Sequence, residues 1–175
     1  MKRIVVVGNL GSGKTTLAKA LAGKLGLVHI DLDDLHFMPE WKERTREDFR
    51  RLLSEATRAE KWAVSGGRLD RAQDIAWPAA DTLIWLDMPF WPNFWRFLKR
   101  DFVNCYSSET ICNGNKPAFI KHFFSKDHTP VEFLKKWRIM QKRYSEIFAN
   151  PGAYSHLKLI RLRSYKQARE FLDKA

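Results

Sequence analysis

Apolar residues near the start of the chain form an unbroken β-branched run, residues 4–7, with no polar alternation. Such a run is typical of a strand that is buried on both faces of a parallel sheet. A glycine-rich turn follows directly. From residue 15 to residue 25 apolar side chains recur at helical spacing, and Gly26 stands where a C-terminal helix cap belongs. This stretch therefore predicts a strand, a loop and a helix.

The same alternation continues along the chain. Further short apolar runs predict four strands, at residues 28–30, 62–64, 83–86 and 157–162. Helix-start signals lie between these strands, at Thr45 with Asp48 and at Thr129 with Glu132, and after the last of them, at Ser164 with Gln167. Strands joined by such long crossovers must pair in parallel. The pattern predicts an α/β fold, a doubly wound parallel sheet, with ligands beyond the carboxyl ends of the strands.

One helical segment and one irregular stretch follow the fourth predicted strand. Residues 91–103 carry aromatic side chains at helical spacing, and the spacing predicts that most of Trp91, Trp95, Phe97 and Phe102 belong to the core. Residues 104–130 show no clear period and are long for a plain connection, which favours a lid or binding loop. Without any linker composition, the chain is expected to form a single domain over residues 1–175.

The glycine-rich turn carries a complete phosphate-binding motif. Residues 8–15 read Gly-Asn-Leu-Gly-Ser-Gly-Lys-Thr and match G-x-x-x-x-G-K-[ST] between a predicted strand and a predicted helix. In such a loop, backbone N–H groups converge on phosphate oxygens, the lysine reaches the β and γ phosphates, and the threonine ligates Mg²⁺. We therefore expect ATP and Mg²⁺ as ligands. The predicted nucleotide-binding residues are Gly8, Gly11, Ser12, Gly13, Lys14, Thr15 and Thr16.

Charged residues after the other strands supply candidates for the rest of the site. Asp33 could hold Mg²⁺ together with Thr15, or accept a proton from a hydroxyl group. Arg96 and Arg100 lie four residues apart on one helical face, and with Lys14 and Arg138 they are the predicted cations around the transferred phosphoryl group. The candidates for acceptor binding, besides Asp33, are Arg44, Gly66, Gly67 and Arg68.

The excess of positive charge limits the classes of binding partner that the chain could have. The chain has 31 Lys plus Arg against 20 Asp plus Glu, a net charge of +11, and +10 of it follows residue 90. A small phosphorylated or anionic substrate explains most of this charge, while nucleic acid stays open as a polyanionic partner. Missing helix-turn-helix and RNA-binding signatures count against nucleic acid. With no transmembrane run or signal peptide, a cytoplasmic protein without membrane contact is expected.

The motifs together resemble the adenylate-kinase-like P-loop kinases, and within them the adenylate-kinase-related or DNA-topology-modulation proteins. Beyond the loop, the resemblance rests on residues 30–35 leading to Pro39 and Trp41, on Trp62 and its strand ending in Gly66, on residues 81–89, and on Arg96 with Arg100. It implies a five-stranded sheet of the nucleoside monophosphate kinase-like type, with an acceptor region after the second strand. It also implies a lid after the fourth strand and a nucleotide contact at Arg163.

One residue departs from the family pattern. Ser65 stands where the resemblance implies an aspartate that supports Mg²⁺. The first hypothesis is an ATP-dependent kinase that transfers the γ-phosphoryl group to a nucleotide or a similar small anionic acceptor. The alternatives are a kinase of a small hydroxyl-bearing metabolite, and an ATP-binding, DNA-associated regulator with little kinase activity.

Overall fold

Five strands form one parallel sheet in the computed structural model, which describes residues 1–67, 69–106, 115 and 130–175. The strands are β1 (Arg3–Gly8), β2 (Val28–Asp31), β3 (Trp62–Ser65), β4 (Thr82–Leu86) and β5 (Lys158–Leu162). Their order across the sheet is β2-β3-β1-β4-β5, and every neighbouring pair is parallel. The predicted doubly wound α/β fold is confirmed, and β1 lies at its centre.

Helices follow the strands on both faces of the sheet. They are α1 (Lys14–Leu25), α2 (Leu32–His36), α3 (Arg46–Ala56), α4 (Leu69–Ala79), α5 (Phe90–Tyr106), α6 (Pro130–Ala149) and α7 (Tyr165–Lys174), with 3-10 segments at Pro39–Trp41 and Pro151–Tyr154. The Thr45 and Ser164 side chains cap α3 and α7 as their spacing predicts. The periodicity argument does not identify α2, which has five residues, or α4, which contains Pro78.

The central strand separates two apolar clusters. Val5 and Val7 pack on one face with α3, α4 and α6, whereas Ile4 and Val6 pack on the other with α1 and α7. All four side chains are fully buried, which explains why the run shows no polar alternation. With both faces covered, the carboxyl edge of the sheet is the place where polar loops meet.

The aromatic side chains of α5 correct one prediction. Phe97 is buried against Phe133, but Trp91, Trp95 and Phe102 are each more than half exposed. The reason is that α5 turns a different stripe inward, the one that includes Asn93 and Phe97.

Within the described ranges, no helix combines the length and apolar character needed to cross a bilayer.

Two predicted features fall outside the described residues. Arg68 is one of them. The other is most of the lid predicted at 104–130, of which residues 107–114 and 116–129 are not described. Asn115 is described and lies buried.

Candidate active site

The glycine-rich loop joins β1 to α1 in a conformation that requires glycine. Gly11 and Gly13 have φ angles of 76° and 90°, in the left-handed region. A Cβ on Gly8 would lie 2.8 Å from the Leu86 carbonyl oxygen, and one on Gly11 would lie 2.9 Å from the Asn93 carbonyl oxygen. Close approach of the neighbouring backbone therefore leaves no room for larger side chains.

Asn93 holds the loop from α5, a role that sequence reasoning missed. Its side chain is fully buried, and its amide Nδ2 donates to the Leu10 carbonyl at 2.7 Å. An asparagine within the aromatic face of a helix was the available signal, because a buried amide needs a specific partner. The loop is therefore braced by α5 as well as by its own glycines.

Two polar atoms of the loop are buried and lack a protein hydrogen-bond partner in the described part of the chain, Ser12 Oγ and Asn9 Nδ2. Leaving such groups unpaired is costly, so they mark a position where a ligand completes the hydrogen bonding. The loop also opens α1, whose first N–H groups have no partner within the helix. Polyphosphate oxygens fit this set of donors.

Lys14 lies among charged side chains at the centre of the site. Its Nζ donates to the Asn9 carbonyl oxygen at 3.0 Å. Burial lowers the pKa of Lys14 to about 8; Arg100 lowers it as well, whereas Asp33 and Asp31 raise it. These effects show that the fold brings Arg100 and both carboxylates close to the ammonium group. At pH 7 most Lys14 side chains carry the proton.

The carboxyl ends of β2 and β3 bring Asp31 and Asp33 against a glycine turn. Both Asp33 carboxylate oxygens accept the Gly67 N–H, at 3.0 and 3.1 Å, and Asp31 Oδ1 accepts the Asp33 N–H at 3.0 Å. Gly66 has a φ of 118°, and a Cβ there would lie 2.8 Å from Asp31 Oδ1. The predicted Gly66 and Gly67 thus position the carboxylates. Burial raises the pKa of Asp31 to about 6, and the Asp33 and Asp34 charges contribute to this increase.

Ser65, the residue that departs from the family pattern, pairs with β2. It is buried, it lies opposite Asp31 in the sheet register, and its hydroxyl is 2.9 Å from His29 Nε2. The hydroxyl is therefore engaged on the side of His29. Among the described residues, no group of three or more His, Cys, Asp or Glu side chains could hold a metal ion.

The predicted arginines lie in different surroundings. Arg100 acts electrostatically on Lys14, whereas the Arg96 guanidinium lies over the Tyr165 ring, 4.3 Å from its centroid. The two side chains thus divide between the loop and the start of α7, although they are four residues apart. Arg163, which is exposed, precedes Tyr165 by two residues. Arg138 is exposed on α6.

Arg44, a candidate for acceptor binding, lies next to the end of α2. It is half-buried, and its Nε is buried without a hydrogen-bond partner in the described part of the chain. Its backbone N–H donates to the His36 carbonyl at 2.9 Å, which ties it to the end of α2. Of the predicted loop threonines, Thr15 is half-buried and Thr16 is exposed.

Asp87 directly follows β4 and accepts hydrogen bonds from side chains of two other elements. Its Oδ2 accepts from Arg161 Nε at 2.8 Å and Nη2 at 2.7 Å, and Gln141 donates to its Oδ1. The Arg161 guanidinium also lies 4.4 Å from the centroid of the Trp85 ring. This ion pair joins β4, β5 and α6 beside the site.

Replacing Asp87 with asparagine is expected to lower the free energy of unfolding by about 2 kcal/mol, because it leaves a partly buried guanidinium unpaired. The midpoint of thermal unfolding, followed by circular dichroism, should fall by about 6 °C. Asp74→Asn is the matched control. Asp74 pairs with Arg50 at 2.8 Å, but its side chain is 61% exposed, and its replacement should shift the midpoint by less than about 2 °C. Equal shifts in the two variants would contradict this account.

Comparison with known proteins identifies a family for this chain. A family model described as "AAA domain" matches residues 4–112. The uncharacterized protein YqaC of Bacillus subtilis (strain 168) is 29% identical over 124 residues, covering 70% of this chain and 68% of that protein. A shikimate kinase of Synechococcus elongatus is 30% identical over 111 residues, covering 56% of this chain and 58% of that enzyme.

Among solved structures, shikimate kinase from Acinetobacter baumannii in complex with shikimate has a TM-score of 0.58 and 17% identity, covering 99% of this chain and 90% of that chain. It shares the fold. The kinase relatives agree with the predicted enzyme class, a P-loop phosphotransferase, whereas the narrower resemblance to adenylate-kinase-related proteins stays a prediction. The family match covers the phosphate loop, the Asp31 and Asp33 carboxylates and the Gly66–Gly67 turn, and the chain belongs to the AAA domain family.

Proposed function

We propose that this chain is an ATP-dependent kinase that transfers the γ-phosphoryl group to a hydroxyl group of a small anionic metabolite. The observation that carries the proposal is the grouping of Asp33 and Lys14 at one site: the Gly67 N–H orients the Asp33 carboxylate, and the charge of that carboxylate acts on the buried Lys14 ammonium group. Similarity to a shikimate kinase supports a hydroxyl acceptor over the nucleotide acceptor that the sequence favoured first.

Asp33 and Lys14 suit the two requirements of phosphoryl transfer to a hydroxyl group, removal of the hydroxyl proton and stabilisation of the phosphoryl charge. The acceptor oxygen forms a bond to the γ-phosphorus while the bond from that phosphorus to the β,γ-bridging oxygen breaks. Asp33 takes up the hydroxyl proton, and Lys14 and Arg100 offset the negative charge on the phosphoryl oxygens. A nucleoside monophosphate presents an oxygen that is already anionic, so it has no need of a proton acceptor.

Other residues of the chain bind and orient. The loop N–H groups together with Ser12 and Asn9 would hold the phosphates, and Arg44 is suited to bind an acceptor carboxylate. Thr15 and Asp33 would hold Mg²⁺, which neutralises phosphate charge when bound. Arg96 and Arg163 lie towards the start of α7, the side where the family resemblance puts the nucleotide base.

An acceptor panel tests the proposal. ADP release is measured with ATP and Mg²⁺ plus shikimate, gluconate, AMP or CMP, and the phosphorylated product is identified by ³¹P NMR. At least one hydroxy acid should raise ADP release about tenfold or more above the acceptor-free rate, because an oriented hydroxyl reacts faster than water. Stimulation by AMP or CMP alone would contradict the proposal and support a nucleotide kinase.

A further inference from the structure

A strained turn lies between α2 and Arg44. Glu40 and Trp41 have φ angles of 63° and 57°, two successive left-handed residues without a glycine. Each such residue costs about 1 kcal/mol or more and persists only where surrounding contacts hold it. Contacts with the surrounding residues must therefore hold this turn.

The base of the turn is anchored in the core. The Met38 N–H donates to the Lys42 carbonyl at 2.8 Å, and Phe37 pairs with Glu43 in an antiparallel bridge. His36, which is fully buried, lies 3.3 Å from a Glu43 carboxylate oxygen and contacts Phe37 and Phe49 edge to face. These contacts hold the two ends of the hairpin, which comprises residues 37–43. Another residue holds its tip.

Asn115 holds the tip from a position 74 residues further along the chain. Its Oδ1 accepts the Trp41 N–H at 2.7 Å, and its Nδ2 donates to the Met38 carbonyl at 2.9 Å. The side chain is buried, with 3% of the residue exposed. The side-chain amide of Asn115 thus accepts from the backbone N–H on one side of the turn and donates to the backbone carbonyl on the other. Only an asparagine-like group of this size can make both hydrogen bonds.

The position of the hairpin links it to the proposed acceptor site. It begins directly after α2, the helix that carries Asp33, and Arg44 follows it directly. We propose that Asn115 is a positioning residue for acceptor binding: by clasping the strained turn at Met38 and Trp41, it keeps the hairpin and Arg44 in place at the end of α2, the helix that carries Asp33. This inference rests on the proposed kinase function, and it makes acceptor affinity depend on a residue in the segment after α5.

Asn115→Ala tests the inference in steady-state kinetics with shikimate as the acceptor. The KM for shikimate should rise about tenfold, equivalent to the loss of one to two buried hydrogen bonds. The kcat and the KM for ATP should stay within about twofold, because the phosphate loop keeps its own contacts. Asn150→Ala is the matched control, since Asn150 is exposed and makes no side-chain capping hydrogen bond, and its kinetic constants should be unchanged.

Asn115→Asp keeps the inference falsifiable if the alanine variant folds poorly. It keeps the acceptor for the Trp41 N–H but places a carboxylate oxygen opposite the Met38 carbonyl, so it should also raise the KM for shikimate by about tenfold. Glu40→Gly removes the left-handed strain at one residue. In that background Asn115→Ala should change the KM by less than half as much, whereas a merely structural role for Asn115 would give the same change in both backgrounds.

Hydrogen exchange separates this inference from the proposed function. In Asn115→Ala, the Trp41 amide should exchange at least about tenfold faster than in the wild type, since it loses its acceptor. An unchanged exchange rate, or an unchanged KM, overturns the inference. Failure of the wild type to phosphorylate shikimate or gluconate would instead overturn the proposed function, and the KM comparison would then use AMP or CMP, whichever the wild type phosphorylates.

Discussion

Replacing Lys14 with alanine is expected to reduce ATP turnover by about 10³-fold or more, the range seen when one charge-stabilising group is removed from a phosphoryl-transfer site. Lys14 Nζ reaches the Asn9 carbonyl within the loop, and Asp33, Asp31 and Arg100 act on its charge. The variant therefore lacks the ammonium group that is expected to contact the phosphates of ATP.

ADP release in a coupled assay measures the effect, and circular dichroism checks the fold. The melting temperature should not fall, because the desolvated ammonium costs free energy in the folded protein and alanine removes that cost. Lys166→Ala serves as the control, since Lys166 is 86% exposed and pairs with Glu170 on the surface of α7. A Lys14→Ala protein that turned over ATP at the rate of the Lys166→Ala protein would contradict the assignment of the loop.

Asp33→Asn is expected to lower kcat by about 10²- to 10⁴-fold if the carboxylate accepts the hydroxyl proton. Asparagine keeps an oxygen for the Gly67 N–H, so the turn between β3 and α4 should survive. The measurement is kcat for the best acceptor of the panel, with ATP affinity determined separately by calorimetry. ATP affinity should change much less than kcat, because the loop and Lys14 remain.

The neighbouring carboxylate provides the control for this variant. Asp34 is exposed one residue further along α2, and Asp34→Asn should keep kcat within about threefold. A magnesium titration then separates the two roles of Asp33. If Asp33 acts chiefly as a metal ligand, excess Mg²⁺ should restore much of the rate of Asp33→Asn; if it accepts the proton, excess Mg²⁺ should not. Equal losses in the two variants would contradict a specific role for Asp33.

Local features of the site were predictable from the residues alone. The loop at 8–15 combines glycines at fixed spacing with a strand before it and a helix after it, and each of these signals acts over a few neighbouring residues. The buried run at 4–7 identified a strand covered on both faces for the same reason. The strand order was not predictable in this way, because pairing joins residues such as Val5 and Leu83 that lie far apart in the sequence.

Contacts at long sequence separation account for the features that pattern reasoning missed. Arg161 and Gln141 reach Asp87 from β5 and α6. The roles of Asn93 and Asn115 depend on the backbone groups that their side chains meet, those of Leu10, Met38 and Trp41. For α5, helical spacing identified an apolar face at Trp91 and Trp95 but not which face the rest of the protein covers.

The sequence by itself determined the phosphate loop, the parallel α/β sheet and the placement of Lys14 and Asp33 at the same edge of that sheet, since these follow from short motifs and from the rule that loops gather at the carboxyl edge of a parallel sheet. Only the tertiary structure decided that Gly67 orients Asp33, that Arg96 and Arg100 face different partners, and that Asn115 clasps the hairpin at 37–43. The physical reason is that a hydrogen bond or ion pair is specified by the position of its partner, and that position is set by packing of the whole chain.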